Sequence, residues 1–231
     1  MAREAESVAP HGRRVRGDAA SSRHGGRIRN HGGEACGGQR RTGLLANTIA
    51  TGAILVALIL ALGPISGAHL NPAVTLADAW QGGVAWRETP IYVAAQLAGA
   101  FAGVATAHLM FGLTLFTAST HVRSGPAQMF SEFVATFGLF AVIWGCARHR
   151  PDAVPFAVGA YITAAYWFTA STSFANPAVT LARSVSNTFA GIRLADAAGF
   201  IAAQLAGAFA ATVLFQWLVP PVRAKASALI V

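Results

Sequence analysis

Apolar runs of about 20 residues recur at 44–64, 89–113, 128–147, 154–171 and 197–219, with polar residues gathered between them. A run of that length spans a hydrocarbon core of ~30 Å as a helix. Small and apolar residues occupy most sides of each run, without the polar stripe that marks a soluble amphipathic helix. The pattern predicts an all-α membrane protein with five full spans. Two shorter segments, about 71–79 and 176–185, interrupt the series, and each opens on Asn-Pro. Asn caps free backbone N–H groups, and Pro at the first helical position loses no hydrogen bond. Roughly nine residues at 1.5 Å rise give ~13 Å, half a membrane thickness. These are predicted half-helices.

The half-helices are copies of each other. Asn71-Pro72-Ala73-Val74-Thr75-Leu76-Ala77 returns letter for letter as Asn176-Pro177-Ala178-Val179-Thr180-Leu181-Ala182, 105 residues further on. A second heptapeptide, Ala-Gln-Leu-Ala-Gly-Ala-Phe, stands at 95–101 and again at 203–209. A duplicated apolar chain points to a channel or transporter whose function lies where its halves meet. Two half-helices starting at the midplane from opposite sides complete one span between them. Irregular backbone at membrane depth is tolerated only where it is buried in protein or lines a wet cavity. The stretches 65–70 and 171–175 would then offer carbonyl acceptors along a pore. Both helix starts aim positive partial charge at its centre, which disfavours cations. The Asn71 and Asn176 amides are donors for the oxygen of a neutral solute. This is a passive, neutral-solute filter.

Composition narrows the alternatives. The chain is 54% hydrophobic and 11% charged, which suits a bilayer. Its formal net charge is +8, and residues 1–43 hold nine arginines against four acids. That Gly/Arg-rich stretch contains no signal-peptide core or membrane span and reads as a basic disordered tail. It lacks the aromatic interleaving of a nucleic-acid-binding arm, and its acids argue against a mitochondrial-type presequence. Cys36 and Cys146 form no pair or metal spacing. His69 has no second His or Cys at ligand spacing, so it reads as a hydrogen-bonded loop residue, and neither metal nor cofactor is expected. Ser66 and His69 lack the carboxylate and oxyanion arrangement that catalysis needs. Ion-coupled transport normally uses membrane-buried acids. Away from Glu132 the spans hold almost none, with Asp78 and Asp196 at span edges.

The doubled Asn-Pro-Ala resembles the mark of the aquaporin, or major intrinsic protein, family, and the resemblance covers about 44–231. It implies an aquaporin-like bundle of two inverted repeats with six spans and two re-entrant half-helices. It also implies one channel per protomer, a homotetramer and a place in the cell (inner) membrane. Asn71, Pro72, Ala73, Asn176, Pro177 and Ala178 take the role of the pore motifs. Glu132, in Ser131-Glu132-Phe133-Val134-Ala135-Thr136, matches the family's buried glutamate, which holds the second re-entrant loop through backbone N–H groups. The alternative for Glu132 is an interfacial acid near a helix end. Gln96 and Gln204 are expected to satisfy loop backbone, and Gly99/Gly103 and Gly207/Ala211 to let helices approach closely.

Two departures stand out. The family usually has Arg directly after the second motif, and this chain has Val179. Offsets from the two Asn residues place Thr51, Ala164 and Ser173 with Val179 at the constriction, a wider and less charged ring than an aromatic-plus-Arg one. Glycerol channels of the family continue with Arg-Asp, where this chain has Val179-Thr180. The stretch 171–192, with Ser-Thr-Ser-Phe-Ala-Asn-Pro and Asn187-Thr188-Phe189-Ala190-Gly191-Ile192, looks like a bacterial subgroup associated with arsenic-resistance operons. The implied solutes are water, glycerol-like polyols and undissociated arsenicals. Arg183 stands one turn outward from Val179, either at the pore mouth or as an ordinary interfacial arginine. The second departure is the family's first span with its own glutamate, which does not precede Leu44. The run 128–147 thus has no counterpart in the first half. Residues 1–43 are accordingly read as foreign to the family, from a misread frame, and a nonfunctional channel fragment is the alternative reading. The resemblance implies a cytoplasmic loop for Arg148 and Arg150 and a cytoplasmic tail for Arg223 and Lys225, in agreement with the positive-inside tendency. That topology sets the start of 44–64 outside, against the pull of the tail's arginines.

Overall fold

Helices form where the apolar runs stand and break at the Gly- and Pro-rich junctions. The computed structural model describes residues 38–218, whose regular structure is helical. The long helices are α1 (Gly38–Ser66), α3 (Thr89–Met110), α4 (Pro126–Ala147) and α7 (Leu194–Leu218). Those four are long and apolar enough to cross a membrane. The fifth expected span is α5 (Val154–Phe168), whose 15 residues are extended at their start by a 3-10 turn, Pro151–Ala153. The half-helices are α2 (Pro72–Trp80) and α6 (Pro177–Arg183). α6 stops short of the expected 185 because the Ser184 N–H turns back onto Leu181 and Ala182. α1 begins inside the segment read as tail, at Gly38. The rest of that tail, with Cys36, Arg223 and Lys225, lies outside the described residues.

Packing repeats the sequence duplication, with one difference. α1 crosses α5 where neither helix has a side chain, Gly52 against Gly159, and Thr48 Oγ1 donates to the Thr163 carbonyl at 2.7 Å. α4 lies between α5 and α7. Gly207 of α7 meets the α4 backbone at Phe133 and Phe137, so the small-residue reading of that pair holds. Trp144 Nε1 donates to Thr212 Oγ1 at 3.0 Å, and Tyr161 Oη donates to the Ala135 carbonyl at 2.9 Å. The core is built on these contacts, with Leu139, Phe140, Val158, Ile162 and Tyr166 buried around Ala73, Val74 and Ala77 of α2. The equivalent position between α1 and α3 is not filled by any described residue. Among the described residues nothing comes within 4 Å of a Cβ at Gly99 or Gly103, where close packing was expected. A third (33%) of the most apolar window of α4 and of α7 is buried, against 11% for α1 and 6% for α3.

The bundle has two distinct faces. α2 ends on the face of Arg148, whose guanidinium bonds the Gln81 side chain and the Phe215 carbonyl at 3.1 and 2.7 Å. With His149 and Arg150 beside it, this is the inner face by the positive-inside tendency. α6 ends on the opposite, outer face, under the 111–125 loop. That loop is tied to it by Thr117 N–H to Val185 O (2.9 Å) and Ser119 N–H to Ser184 O (2.8 Å). Trp86 and Trp217 stand exposed toward the inner face, where amphipathic rings suit the bilayer interface.

Candidate functional site

The two re-entrant loops share an unusual backbone. Gly67, Ala68 and Leu70 have left-handed φ of +78°, +46° and +51°. Their partners 105 residues later, Thr172, Ser173 and Ala175, have +61°, +50° and +46°. Such conformations cost non-glycine residues roughly 1–3 kcal/mol each and persist only where the surroundings over-determine them. Here they swing each loop into the bundle so that Asn71 and Asn176 become the caps of α2 and α6.

The caps interlock. Asn71 Oδ1 accepts the Ala73 N–H at 3.0 Å, and Asn176 Oδ1 accepts those of Ala178 and Val179 at 3.0 and 3.3 Å. The amide nitrogens reach across the bundle. Asn71 Nδ2 donates to the Ala175 carbonyl at 2.7 Å, and Asn176 Nδ2 donates to the Leu70 carbonyl at 2.8 Å. Each loop thus supplies the acceptor for the other's asparagine. An amide carries two N–H donors, so one remains on each side chain after this exchange. Pro72, Ala73, Pro177 and Ala178 are buried beneath the two asparagines.

A second layer fixes the loops. Fully buried Glu132 accepts the Phe174 and Ala175 N–H groups at 2.9 Å each, one per carboxylate oxygen. Gln204 Nε2 donates to Glu132 Oε2 at 2.6 Å and to Thr180 Oγ1 at 2.9 Å. In the first half, Gln96 Nε2 donates to Thr75 Oγ1 at 2.9 Å. Gln96 therefore bonds a hydroxyl, and Gln204 a hydroxyl and the Glu132 carboxylate, in place of the loop backbone expected of them. The Thr75 and Thr180 hydroxyls in turn donate to the Asn71 and Asn176 carbonyls, so the glutamines act on the caps at one remove. His69 sits among Thr75 Oγ1 (3.2 Å), Asp78 (3.8 Å) and the Tyr92 ring.

The four expected constriction residues come from α1, α5, α6 and the second re-entrant loop. Thr51 Oγ1 lies 3.5 Å from the Tyr166 hydroxyl. Val179 is half-buried on α6 and Ser173 is buried in the second loop. Ala164 lies on the exposed stripe of α5 with Phe156, Ala160 and Phe168, and the α5 side chain beside Thr51 is Tyr166. A two-residue difference on a helix turns a side chain by about 200°, so Ala164 and Tyr166 face different ways.

Sequence reasoning also missed Arg123. This loop arginine is only 2% exposed. Nε donates to Gly191 O (2.7 Å), Nη1 to Ser171 O (2.9 Å) and Nη2 to Phe189 O (3.2 Å). Its own N–H donates to Asp196 Oδ2 at 2.9 Å, and Asp196 Oδ1 takes Arg193 at 2.8 Å. Burial first, then the charge of Arg183, pushes the Arg123 guanidinium down to about 10, so it is cationic at neutral pH. A single Arg before Ser124-Gly125-Pro126 carries no spacing signal. The first-turn acid Asp196 is the one hint the sequence offers.

Helices that insert half-way from opposite faces and meet at interlocked caps define a membrane channel. The chain belongs to the major intrinsic protein family: the sequence model with that description matches residues 23–154 and 149–231. It is 60% identical over 180 residues to Aquaglyceroporin AqpS of Rhizobium meliloti (strain 1021), covering 78% of this chain and 77% of that protein. It is 37% identical over 144 residues to Aquaporin NIP1-3 of Oryza sativa subsp. japonica, covering 59% and 50% of the two chains. With the Glycerol uptake facilitator protein of Bacillus subtilis (strain 168) it shares 34% over 120 residues, 45% and 43% of the two lengths. It is a passive, multi-pass channel of the cell membrane, not an enzyme.

Proposed function

We propose that the pore passes small neutral solutes (water, glycerol-sized polyols and undissociated arsenicals) and that the protein works as a homotetramer. The observation that carries this reading is the amide exchange between Asn71 and Asn176. It holds two donors at the midplane, each with one N–H left for an oxygen in transit. Both half-helix N-termini point at the same place and make it unfavourable to a cation. The Val179 side chain, in place of a guanidinium at that point on α6, leaves width for solutes larger than water. The printed names of the relatives, an aquaglyceroporin and a glycerol facilitator, agree with it.

The test is light scattering of proteoliposomes after a hyperosmotic glycerol jump. Shrinkage followed by fast reswelling, indifferent to imposed proton or sodium gradients, is the expected result. Reswelling no faster than in protein-free vesicles would reject the channel, and dependence on an ion gradient would favour a coupled transporter. Chemical cross-linking in the membrane should stop at a four-fold mass.

A further inference from the structure

Val179 does not leave the outer half of the pore without a cation. Arg183 ends α6 four residues later, on the same helix face as Val179. Its Nη2 donates to the Tyr166 hydroxyl at 3.2 Å, and Tyr166 in turn lies 3.5 Å from Thr51, one of the residues expected at the constriction. The Arg183 guanidinium rests 4.3 Å from the centroid of the Phe174 ring, a cation–π distance.

The platform under it is rigid. Phe174 is held by its N–H on Glu132 and packs edge-on against Phe200, and Arg123 stands 4.8 Å from the same ring. The two arginines differ in how their donors are used. Arg123 spends Nε, Nη1 and Nη2 on three backbone carbonyls. Arg183, half-buried, has the Tyr166 hydroxyl as its hydrogen-bond acceptor among the described residues. No carboxylate pairs with it there, since Asp196 is engaged by Arg193 and the Arg123 N–H. A guanidinium has five N–H donors, so most of those on Arg183 are uncommitted. The first half does not repeat this residue: the position 105 residues before Arg183 is Asp78, beside His69.

Resting on the channel reading above, we propose that Arg183 is the specificity-determining cation of the outer constriction. The Phe174 ring supports it, and Tyr166 positions its guanidinium toward Thr51. It repels protons and organic cations and offers donors to the oxygens of neutral solutes. Lying one turn outward, it supplies charge without narrowing the pore at Val179.

The full chain in proteoliposomes tests this, with glycerol reswelling and cation leak read from the same vesicles, the leak as acidification of a trapped pH dye under an inside-negative potassium diffusion potential. Arg183→Gln is expected to raise cation leak about tenfold, within the range by which a focused charge alters local ion concentration, while glycerol still permeates. Arg183→Lys keeps the charge and should hold the leak near the wild-type level. Tyr166→Phe removes the acceptor and should give a leak several-fold above wild type, together with a changed glycerol-to-water ratio. Tyr166→Phe also serves as the test if Arg183→Gln elutes as aggregate. If wild-type vesicles pass glycerol and neither variant leaks more cations, the Arg183 assignment is wrong and the channel reading survives. If wild-type vesicles pass no glycerol, the channel reading falls and takes the assignment with it.

Discussion

Replacing Glu132 by Gln removes one oxygen from the group that organises the second re-entrant loop. The carboxylate accepts from Phe174 and Ala175 at 2.9 Å and from Gln204 at 2.6 Å. A glutamine can accept one backbone N–H and must point its NH2 at the other. Gln204 can relieve part of the conflict by turning over, because its own Oε1 is buried without a partner. The Ala175 N–H then stays unpaired. Losing one hydrogen bond to a charged group costs roughly 1.5–3 kcal/mol, and an orphaned buried N–H about 1–3. With the partial relief from Gln204, a net loss of about 3 kcal/mol is expected. At roughly 2–4 °C per kcal/mol for a chain of this size, the unfolding midpoint falls by about 6–12 °C. Permeation should fall as well, since the carbonyl of Ala175 is the acceptor that orients Asn71. Tryptophan-fluorescence melts in detergent and glycerol reswelling in vesicles measure the two effects. Gln204→Ala, which leaves both backbone bonds in place, should cost less than Glu132→Gln. A midpoint within 2 °C of wild type, with permeation intact, would show that the loop holds its shape without the carboxylate and that the sizes estimated here are wrong.

Other substitutions probe separate parts of the same argument. Gly52→Leu drives a side chain into Thr163 Oγ1 and the Gly159 carbonyl; overpacking of this kind costs about 1–3 kcal/mol or more. It should lower the melting midpoint, and an unchanged midpoint would mean that α1 does not approach α5 as described. Asn176→Ala removes the α6 cap, worth about 1 kcal/mol, and leaves the Leu70 carbonyl unpaired; water and glycerol fluxes in the same vesicles should fall together. Val179→Arg adds a guanidinium one turn inward of Arg183, so glycerol or arsenite uptake should drop by more than water flux. A constant ratio, with membrane abundance checked by immunoblot, places Val179 away from the constriction.

The spans and half-helices were legible because lipid leaves the chain few options. Every backbone group at depth must be satisfied internally, so long apolar runs become helices and short ones with an Asn-Pro start become half-helices. The duplication revealed which loops matter. The partners of those loops were less legible. Gln96 and Gln204 announced themselves as polar groups in apolar spans, but nothing in the spacing distinguished the Thr75 and Thr180 hydroxyls from loop backbone as acceptors. Tyr166 and Arg123 carry no signal in the sequence, because their roles come from contacts 17 and 48 residues distant, with Arg183 and Ser171. The Gly99/Gly103 pattern reported only that a helix can approach there, and no described residue does.

The exchanged amide bonds also set a timetable for biogenesis. Asn71 and its acceptor on Ala175 are separated by 104 residues. At a synthesis rate of ~5–20 residues per second, the ribosome needs roughly 5–20 s to produce the second loop after the first. Throughout that interval the Asn71 amide and the Leu70 carbonyl lack their partners, and hydrocarbon offers no substitute. The first half-helix therefore has no reason to settle at the midplane when it emerges. The bonds that join the two loops at depth can form only once the second is made. Neither half can complete this exchange without the other.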